Sequence, residues 1–302
     1  MSENGTPPHV SRGTNFAGSS SIIPMSRAQL VRASAVAVVA ASGLVLMSRF
    51  GALQWPSVLV YSGIVAFLGG MVSALAPPRW LGFSRRFHGP LAGILVGACL
   101  FCAGLYWPAG AFDTPSPATR LDAFMPDYNF HERHEIVVHA PPNAVRAALD
   151  HVAWADLGVM ETLGRIRSVA MGGSAARGGL SPTPIVDSVK SPRSGFFLLD
   201  DTPREFVFGL AGQPWNNAAV RLTAAGFRTW SQPGSIRVAA NFLIQAVGND
   251  SSRVVTETRI AACDAASRRK MAQYWALVYP GSGMVRRSLL EAVRLRAEKS
   301  RT

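Results

Sequence analysis

Three uncharged, apolar runs near the N-terminus constrain this chain more than any other feature. Ser57–Ala76 holds twenty residues without a charge, which is the length that an α-helix needs to cross a hydrocarbon core about 30 Å thick. Ala33–Ser48 is shorter, but an arginine flanks it on each side, and Gly89–Phe112 has an aromatic pair near its end. We therefore predict three transmembrane helices, at about 30–49, 56–76 and 89–110.

The composition agrees with a chain that is partly dissolved in lipid. Of its 302 residues, 48% are hydrophobic and only 16% are charged, against about 25% charged residues in an average soluble domain. A single soluble domain is therefore excluded, and three cysteines are too few for a disulfide-rich secreted module. Residues 1–28 are rich in Ser, Gly, Asn and Pro without a hydrophobic period, so we predict a disordered tail there.

The net charge of +12 is concentrated beside the predicted spans and near the C-terminus. The N-terminal tail and the loop between the second and third spans are arginine-rich, with Arg12, Arg27 and Arg32 in the tail and Arg79, Arg85 and Arg86 in the loop. The intervening loop has only Arg49. The positive-inside rule then predicts a multi-pass protein of the cell (inner) membrane, with a cytoplasmic N-terminus and an extracytoplasmic C-terminal domain. This distribution accounts for the charge without nucleic acid as a partner.

Small residues recur at every fourth position in two of the predicted spans, at Gly89, Gly93 and Gly97 and at Ala33, Ala37 and Ala41. Helix backbones approach closely along such faces, so one expected consequence is a homo-oligomer. The lipid bilayer is the first partner that the spans imply. The uncharged runs Ala33–Ser48, Ser57–Ala76 and Gly89–Phe112 contain no Asp, Glu, Lys, Arg or His, so we do not expect a transporter built from these helices alone.

The pattern changes after the third span. Residues 113–128 combine Pro and Asp in a way that disfavours helix and strand interiors, and we predict a linker. Residues 129–302 follow an α+β pattern. His131–Ala140 predicts a strand, and the two prolines after it predict the start of a helix. Further elements are a helix at about 155–169 and an antiparallel meander at Phe196–Leu199, Phe206–Leu210, Ile236–Val247 and Arg253–Ala261.

The last forty residues return to a helical period. One face is apolar, with Met271, Tyr274, Trp275 and Val278, and the sequence Pro-Gly-Ser-Gly at 280–283 predicts a break before the helix resumes. The opposite face is basic: Arg268, Arg269, Lys270, Arg286, Arg287 and Arg294. We expect this face either to be solvated or to attract anionic lipid headgroups.

The order of elements resembles the START-like superfamily, also called SRPBCC or helix-grip. The stretches that carry the resemblance are FHERHEIVVHAPPNAVRAALD, REFVFGLAGQPW, VAANFLIQAVGNDSSRVVTETRI and RRKMAQYWALVYPGSGMVRRSLLEAVR, within about residues 128 to 298. The resemblance implies a helix-grip domain, which is a curled antiparallel sheet around a long C-terminal helix with an apolar cavity between them. The predicted fold is therefore α+β, with three transmembrane helices before a helix-grip domain.

An apolar cavity of this kind would be lined by aromatic side chains, and we expect them to be Phe206, Phe208, Trp215, Phe242 and Trp275. No phosphate loop, dinucleotide fingerprint or nucleophile elbow accompanies them. The leading hypothesis is therefore a membrane-anchored domain that binds a lipid or another apolar small molecule, without catalysis and without a cofactor.

Two other hypotheses remain open. Glu132 and His134 share one face of the first strand and are the only candidates for an acid and base pair, as in a cyclase- or hydrolase-like enzyme. A zinc site is not expected there, because His131 and His134 are three residues apart on a strand rather than four apart on a helix. Glu257 and Arg259 are expected to form surface pairs across strands. The remaining hypothesis is a membrane-tethered domain that docks a protein partner.

Overall fold

The computed structural model describes residues 54–75, 88–114, 118–158 and 182–300. It begins with two apolar helices, α1 (Trp55–Leu75) and α2 (His88–Leu105). Within the described ranges, α1 is the one helix that is long and apolar enough to cross a membrane. The third predicted span, 89–110, extends past the end of α2, which ends at Leu105 before Pro108. The apolar part of α2, Gly89–Leu105, is shorter than that of α1. The first predicted span and the predicted tail lie outside the described residues.

Glycines allow α1 and α2 to pack backbone against backbone as an antiparallel pair. A Cβ atom on Gly97 would lie 2.4 Å from the backbone nitrogen of Phe67, and one on Gly93 would lie 3.1 Å from Cα of Gly70. The small-residue face predicted on α2 is thus used, at these two positions, against a helix of the same chain. The homo-oligomer expected from that face stays a prediction.

The outer surface of this helix pair is apolar. Val65, Val72 and Leu95 are among its exposed side chains, and the exposed aromatic residues Trp55 and Tyr106 lie at one common end of the pair. Exposed apolar surface with aromatic residues at its boundary is typical of a segment in contact with lipid.

The predicted antiparallel sheet is confirmed and has six strands. They are β1 (Phe130–Val138), β2 (Phe197–Asp201), β3 (Glu205–Gln213), β4 (Ala218–Val220), β5 (Ile236–Ala246) and β6 (Ser252–Ala262). Their order is β1-β6-β5-β3-β2, with β4 paired to β3, and every pairing is antiparallel.

Among the described residues, five α-helices accompany the sheet: α3 (Arg120–Phe124), α4 (Pro142–His151), α5 (Ile185–Lys190), α6 (Ala224–Thr229) and α7 (Ala265–Lys299). The helix expected after the two prolines begins at Pro142, where the missing N–H of proline costs nothing. Most of the helix predicted at 155–169 lies outside the described residues. Before this gap, Trp154–Asp156 forms a short 3₁₀ turn and Gly158 is helical.

The sheet is covered on both faces. α4, α5 and α7 cover the inner face, and α3 and α6 cover the outer face. Two apolar clusters lie on the inner face. The first apolar cluster includes Phe206, Phe208, Phe242, Ile244, Leu289, Leu290 and Val293. The second apolar cluster includes Phe130, Ile236, Ile260, Met271, Trp275 and Tyr279.

The predicted break in the last helix is wrong, because α7 continues through Pro280. Proline removes one intrahelical N–H donor, but both halves of α7 pack on the same sheet through Trp275 on one side and Leu289 on the other. In the turn before the proline, the carbonyl of Leu277 accepts a hydrogen bond of 2.7 Å from the hydroxyl of Tyr61 in α1. Tertiary packing and this contact keep the helix continuous.

The described part of the predicted linker is structured. Phe112 and Tyr128 pair through their backbones, and α3 buries Leu121 on the outer face of the sheet. Beneath this segment, the guanidinium of Arg259 lies 2.7 Å from Asp122 and 2.6 Å from Glu257. The pair expected at the surface is therefore buried, because the segment around α3 covers it.

Candidate ligand-binding site

The inward side of α7 changes from apolar to polar and back to apolar along its length. Trp275 and Tyr279 belong to the second apolar cluster, and Leu289 belongs to the first. Ser282 and Arg286 lie between them and reach the sheet. A polar group of side chains thus separates two apolar clusters on the inner face.

The sheet supplies the other half of this group. Glu132 and His134 of β1 share the inner face, as predicted, and the register places them opposite Thr258 and Thr256 of β6. All four side chains are buried. We call this group the interior polar cluster; its members are Glu132, His134, Thr256, Thr258, Ser282 and Arg286.

Glu132 is 2% exposed and has both carboxylate oxygens engaged. His134 Nε2 lies 2.8 Å from Oε1, and the Ser282 hydroxyl donates to Oε2 over 2.5 Å. Because a carboxylate accepts the proton of Nε2, the acceptor of the neutral imidazole is Nδ1. Ser282 bonds to the carboxylate and not to the imidazole, so these three side chains do not form a serine nucleophile activated by histidine.

Arg286 faces the sheet, so its expected place on a solvated basic face is wrong. Its Nη1 donates to the hydroxyl of Thr256 over 2.8 Å, and its Nη2 donates to the hydroxyl of Thr258. The guanidinium carbon lies 5.9 Å from the ring centroid of Phe208. Burial lowers the pKa of Arg286, and the negative charge of Glu132 opposes that effect.

Two indole N–H groups, one in the second apolar cluster and one packed against it, are buried donors. Nε1 of Trp275 and Nε1 of Trp215 make no hydrogen bond in the part of the chain that the structure describes. Tyr279 packs edge-on against Trp275 with ring centroids 5.4 Å apart. Burial, with a further contribution from the charge of Glu132, raises the pKa of Tyr279 to about 12, so its hydroxyl keeps its proton at neutral pH.

The other three predicted lining residues are buried in the first apolar cluster. The ring centroid of Phe208 lies 5.9 Å from that of Phe206 and 6.2 Å from that of Phe242, so the three rings pack against one another. The five predicted aromatic residues therefore divide between the two apolar clusters, three in the first and two in the second, with the interior polar cluster between them. Their contact with a ligand stays a prediction.

A separate open cleft of about 410 Å³ lies where the chain leaves α2 for the sheet. Phe112, Tyr128, Arg237 and Arg268 are among its lining residues, and none of the predicted site residues lines it. Among the described residues, no group of three or more His, Cys, Asp or Glu side chains could hold a metal ion.

The interior polar cluster lies close to the end of the membrane-length helix. Gln54, directly before α1, donates from Nε2 to the carbonyl of His131 over 3.5 Å and also bonds to Tyr279. Tyr61 of α1 bonds to α7 one turn from Pro280. These contacts join the apolar helix pair to the elements that carry the cluster.

The inward position of Ser282 and Arg286 was not predicted, although the sequence carries a signal for it. The inward residues of α7 follow an alternating spacing of four and three that runs unbroken through the proline: Trp275, Tyr279, Ser282, Arg286, Leu289 and Val293. The assumed break at Pro280 hid this continuity. Without the break, the period would have placed both residues on the face that meets the sheet.

No family model matches this chain, and no curated protein matches it. Among solved structures, a hypothetical protein from Helicobacter pylori is similar at 11% sequence identity and a TM-score of 0.31, covering 62% of this chain and 99% of that one. These comparisons assign neither a family nor a function, and the START-like resemblance stays a prediction.

Proposed function

We propose that this protein is a membrane-anchored domain that binds a lipid or another hydrophobic ligand between its sheet and α7, without catalysis. The observation that carries the proposal is the pair of buried, unpartnered indole N–H groups of Trp215 and Trp275. A buried donor without an acceptor costs about 1–3 kcal/mol. Ligand sites are mostly apolar with a few convergent polar groups, and an oxygen atom on an apolar ligand would satisfy these donors.

The membrane anchor supports the choice of ligand. α1 has the length and composition of a spanning helix, and the aromatic residues Trp55 and Tyr106 lie at the end of the helix pair that contacts the domain. We propose three spans in the cell (inner) membrane, with a cytoplasmic N-terminus and an extracytoplasmic domain. The arginine-rich loop between α1 and α2 supports this orientation. A ligand taken from the bilayer would then have a short path to the domain.

Dodecanol tests this function, because it combines an apolar chain with one hydroxyl oxygen. We expect it to raise the thermal unfolding midpoint of the full chain in detergent micelles and to saturate, since a ligand that binds only the folded state stabilises it. Trp275→Phe keeps a ring but removes the donor, so its apparent affinity should fall about 2- to 10-fold, the value of one neutral hydrogen bond.

The matched control is Trp55→Phe, because Trp55 is 68% exposed and its substitution should leave the dodecanol affinity unchanged. Partition of dodecanol into the micelle is the same for every variant, so differences between variants report on the protein. A midpoint that rises without saturation, or an equal response in Trp275→Phe and the wild type, would contradict the proposal.

A second candidate function is acid–base catalysis, and the buried pair of Glu132 and His134 at 2.8 Å favours it. Glu132 would orient the imidazole, and Nδ1 of His134 would accept a proton from the water that attacks the ester carbonyl and return it to the departing alcohol. This candidate predicts that the full chain hydrolyses dodecyl acetate and that His134→Asn does not. If dodecyl acetate remains intact after incubation with the wild-type chain, the protein is not an esterase for this substrate class, and the binding function stands.

A further inference from the structure

Arg286 is a partly buried cation whose direct hydrogen-bond partners are neutral. Its two terminal nitrogens bond to the hydroxyls of Thr256 and Thr258. None of the ion pairs among the described residues includes Arg286. This is unusual, because a buried charge is ordinarily paired with an opposite charge.

Glu132 is the carboxylic acid of the same cluster, but it is already engaged. Its two oxygens accept from His134 and Ser282. Its charge acts on Arg286 without a direct contact and only opposes the lowering of the pKa of Arg286 by burial. Arg259, a buried arginine on the outer face, shows the contrast, because it lies within 2.7 Å of both Asp122 and Glu257. The inner face thus holds a guanidinium without a direct counter-charge, and the outer face holds one with two.

We propose that Arg286 recognises an anionic group, a phosphate or a carboxylate, at the head of the apolar ligand. This inference deepens the proposed function and rests on it. The guanidinium fork matches the geometry of both anions and binds them through charge-assisted hydrogen bonds. The apolar clusters on either side of the interior polar cluster, with Phe208 next to the guanidinium, supply the surface for the chain of such a ligand.

Three probes test the proposal: dodecyl phosphate, dodecanol and inorganic phosphate, each titrated against the full chain in detergent micelles with the unfolding midpoint as the readout. We expect dodecyl phosphate to bind at least about 10-fold more tightly than dodecanol, which is the low end for a hydrogen bond to a charged group. In Arg286→Gln, the affinities for the two alkyl compounds should agree within about 2-fold.

Two further variants complete the experiment. Arg287→Gln removes an exposed arginine next to Arg286 on the same helix, and it should keep the preference of the wild type. Arg286→Lys keeps the positive charge without the fork and should show an intermediate preference. If Arg286→Gln fails to fold, the comparison of Arg286→Lys with the wild type still shows whether the preference for dodecyl phosphate depends on the guanidinium.

The outcomes separate this inference from the proposed function. The inference is overturned if the wild type binds dodecyl phosphate and dodecanol equally well. It is also overturned if Arg286→Gln prefers dodecyl phosphate as strongly as the wild type does. Both results leave the proposed binding function standing. Binding of neither alkyl compound overturns the proposed function and the inference with it. Inorganic phosphate that binds as tightly as dodecyl phosphate supports anion recognition by Arg286 and overturns the apolar ligand.

Discussion

Replacing Arg259 with methionine is expected to lower the free energy of unfolding by about 3–5 kcal/mol, the cost of removing one partner from a buried ion pair. The side chain of Arg259 is 7% exposed, bonds to Asp122 and Glu257, and donates to the carbonyl of Met125 over 3.0 Å. Burial by itself would lower the pKa of Arg259, but Glu257 and Asp122 raise it above its usual range. Without the guanidinium, two carboxylates lose their counter-charge under α3.

Arg253→Met is the matched control on the same strand and the same face. Arg253 is 45% exposed and lies 3.9 Å from Glu135, so this change should cost no more than about 1 kcal/mol. Thermal unfolding of the full chain in detergent, followed by circular dichroism, gives both values. Similar losses in the two variants would show that the network around Arg259 does not hold α3 on the sheet.

Gly63→Ala is expected to destabilise the helix pair by about 1–3 kcal/mol, as overpacking does in a close-packed interior. A Cβ atom at this position would lie 2.5 Å from the backbone nitrogen of Phe101 and 2.7 Å from the carbonyl oxygen of Gly97. Both neighbours are backbone atoms that cannot rotate away, so α1 and α2 must separate to admit the methyl group.

Gly69→Ala provides the control on the same helix, because nothing lies within 4 Å of a Cβ atom at Gly69. Alanine also has the better helix propensity, so this variant should be as stable as the wild type or slightly more stable. Unfolding of the full chain in mixed micelles of increasing dodecyl sulfate fraction measures the difference. Equal midpoints for the two variants would argue against the close approach of α1 and α2.

Local sequence patterns predicted the long elements of the domain well. Alternation located both ends of β5 and β6 to within one residue, because each strand buries most of the side chains on its inner face. The short elements α3, α5, α6 and β4 were missed, since three to six residues cannot display a period. Long-range contacts stabilise them, as with Leu121 of α3, which is buried against the sheet.

The candidate site was predictable only in part. The two-residue period of a strand placed Glu132 and His134 on one face, and the register adds the two threonines of β6. Ser282 and Arg286 reach this face because α7 remains helical through Pro280. Helix propensity opposes a proline at that position, and tertiary packing allows it. Arg259 is likewise buried by the segment around α3, which lies more than 130 residues earlier in the sequence.

Photolabelling by a dodecanol analogue with a diazirine on its chain tests the central claim most directly, because it maps where an apolar ligand lies in the full chain. We expect peptides of β3, β5 and the middle of α7 to carry the label and excess dodecanol to compete for it. Both results would place the ligand between the sheet and α7. Two results would contradict a binding site inside the domain. One is label found only in α1 and α2, and the other is label on the domain that excess dodecanol does not reduce.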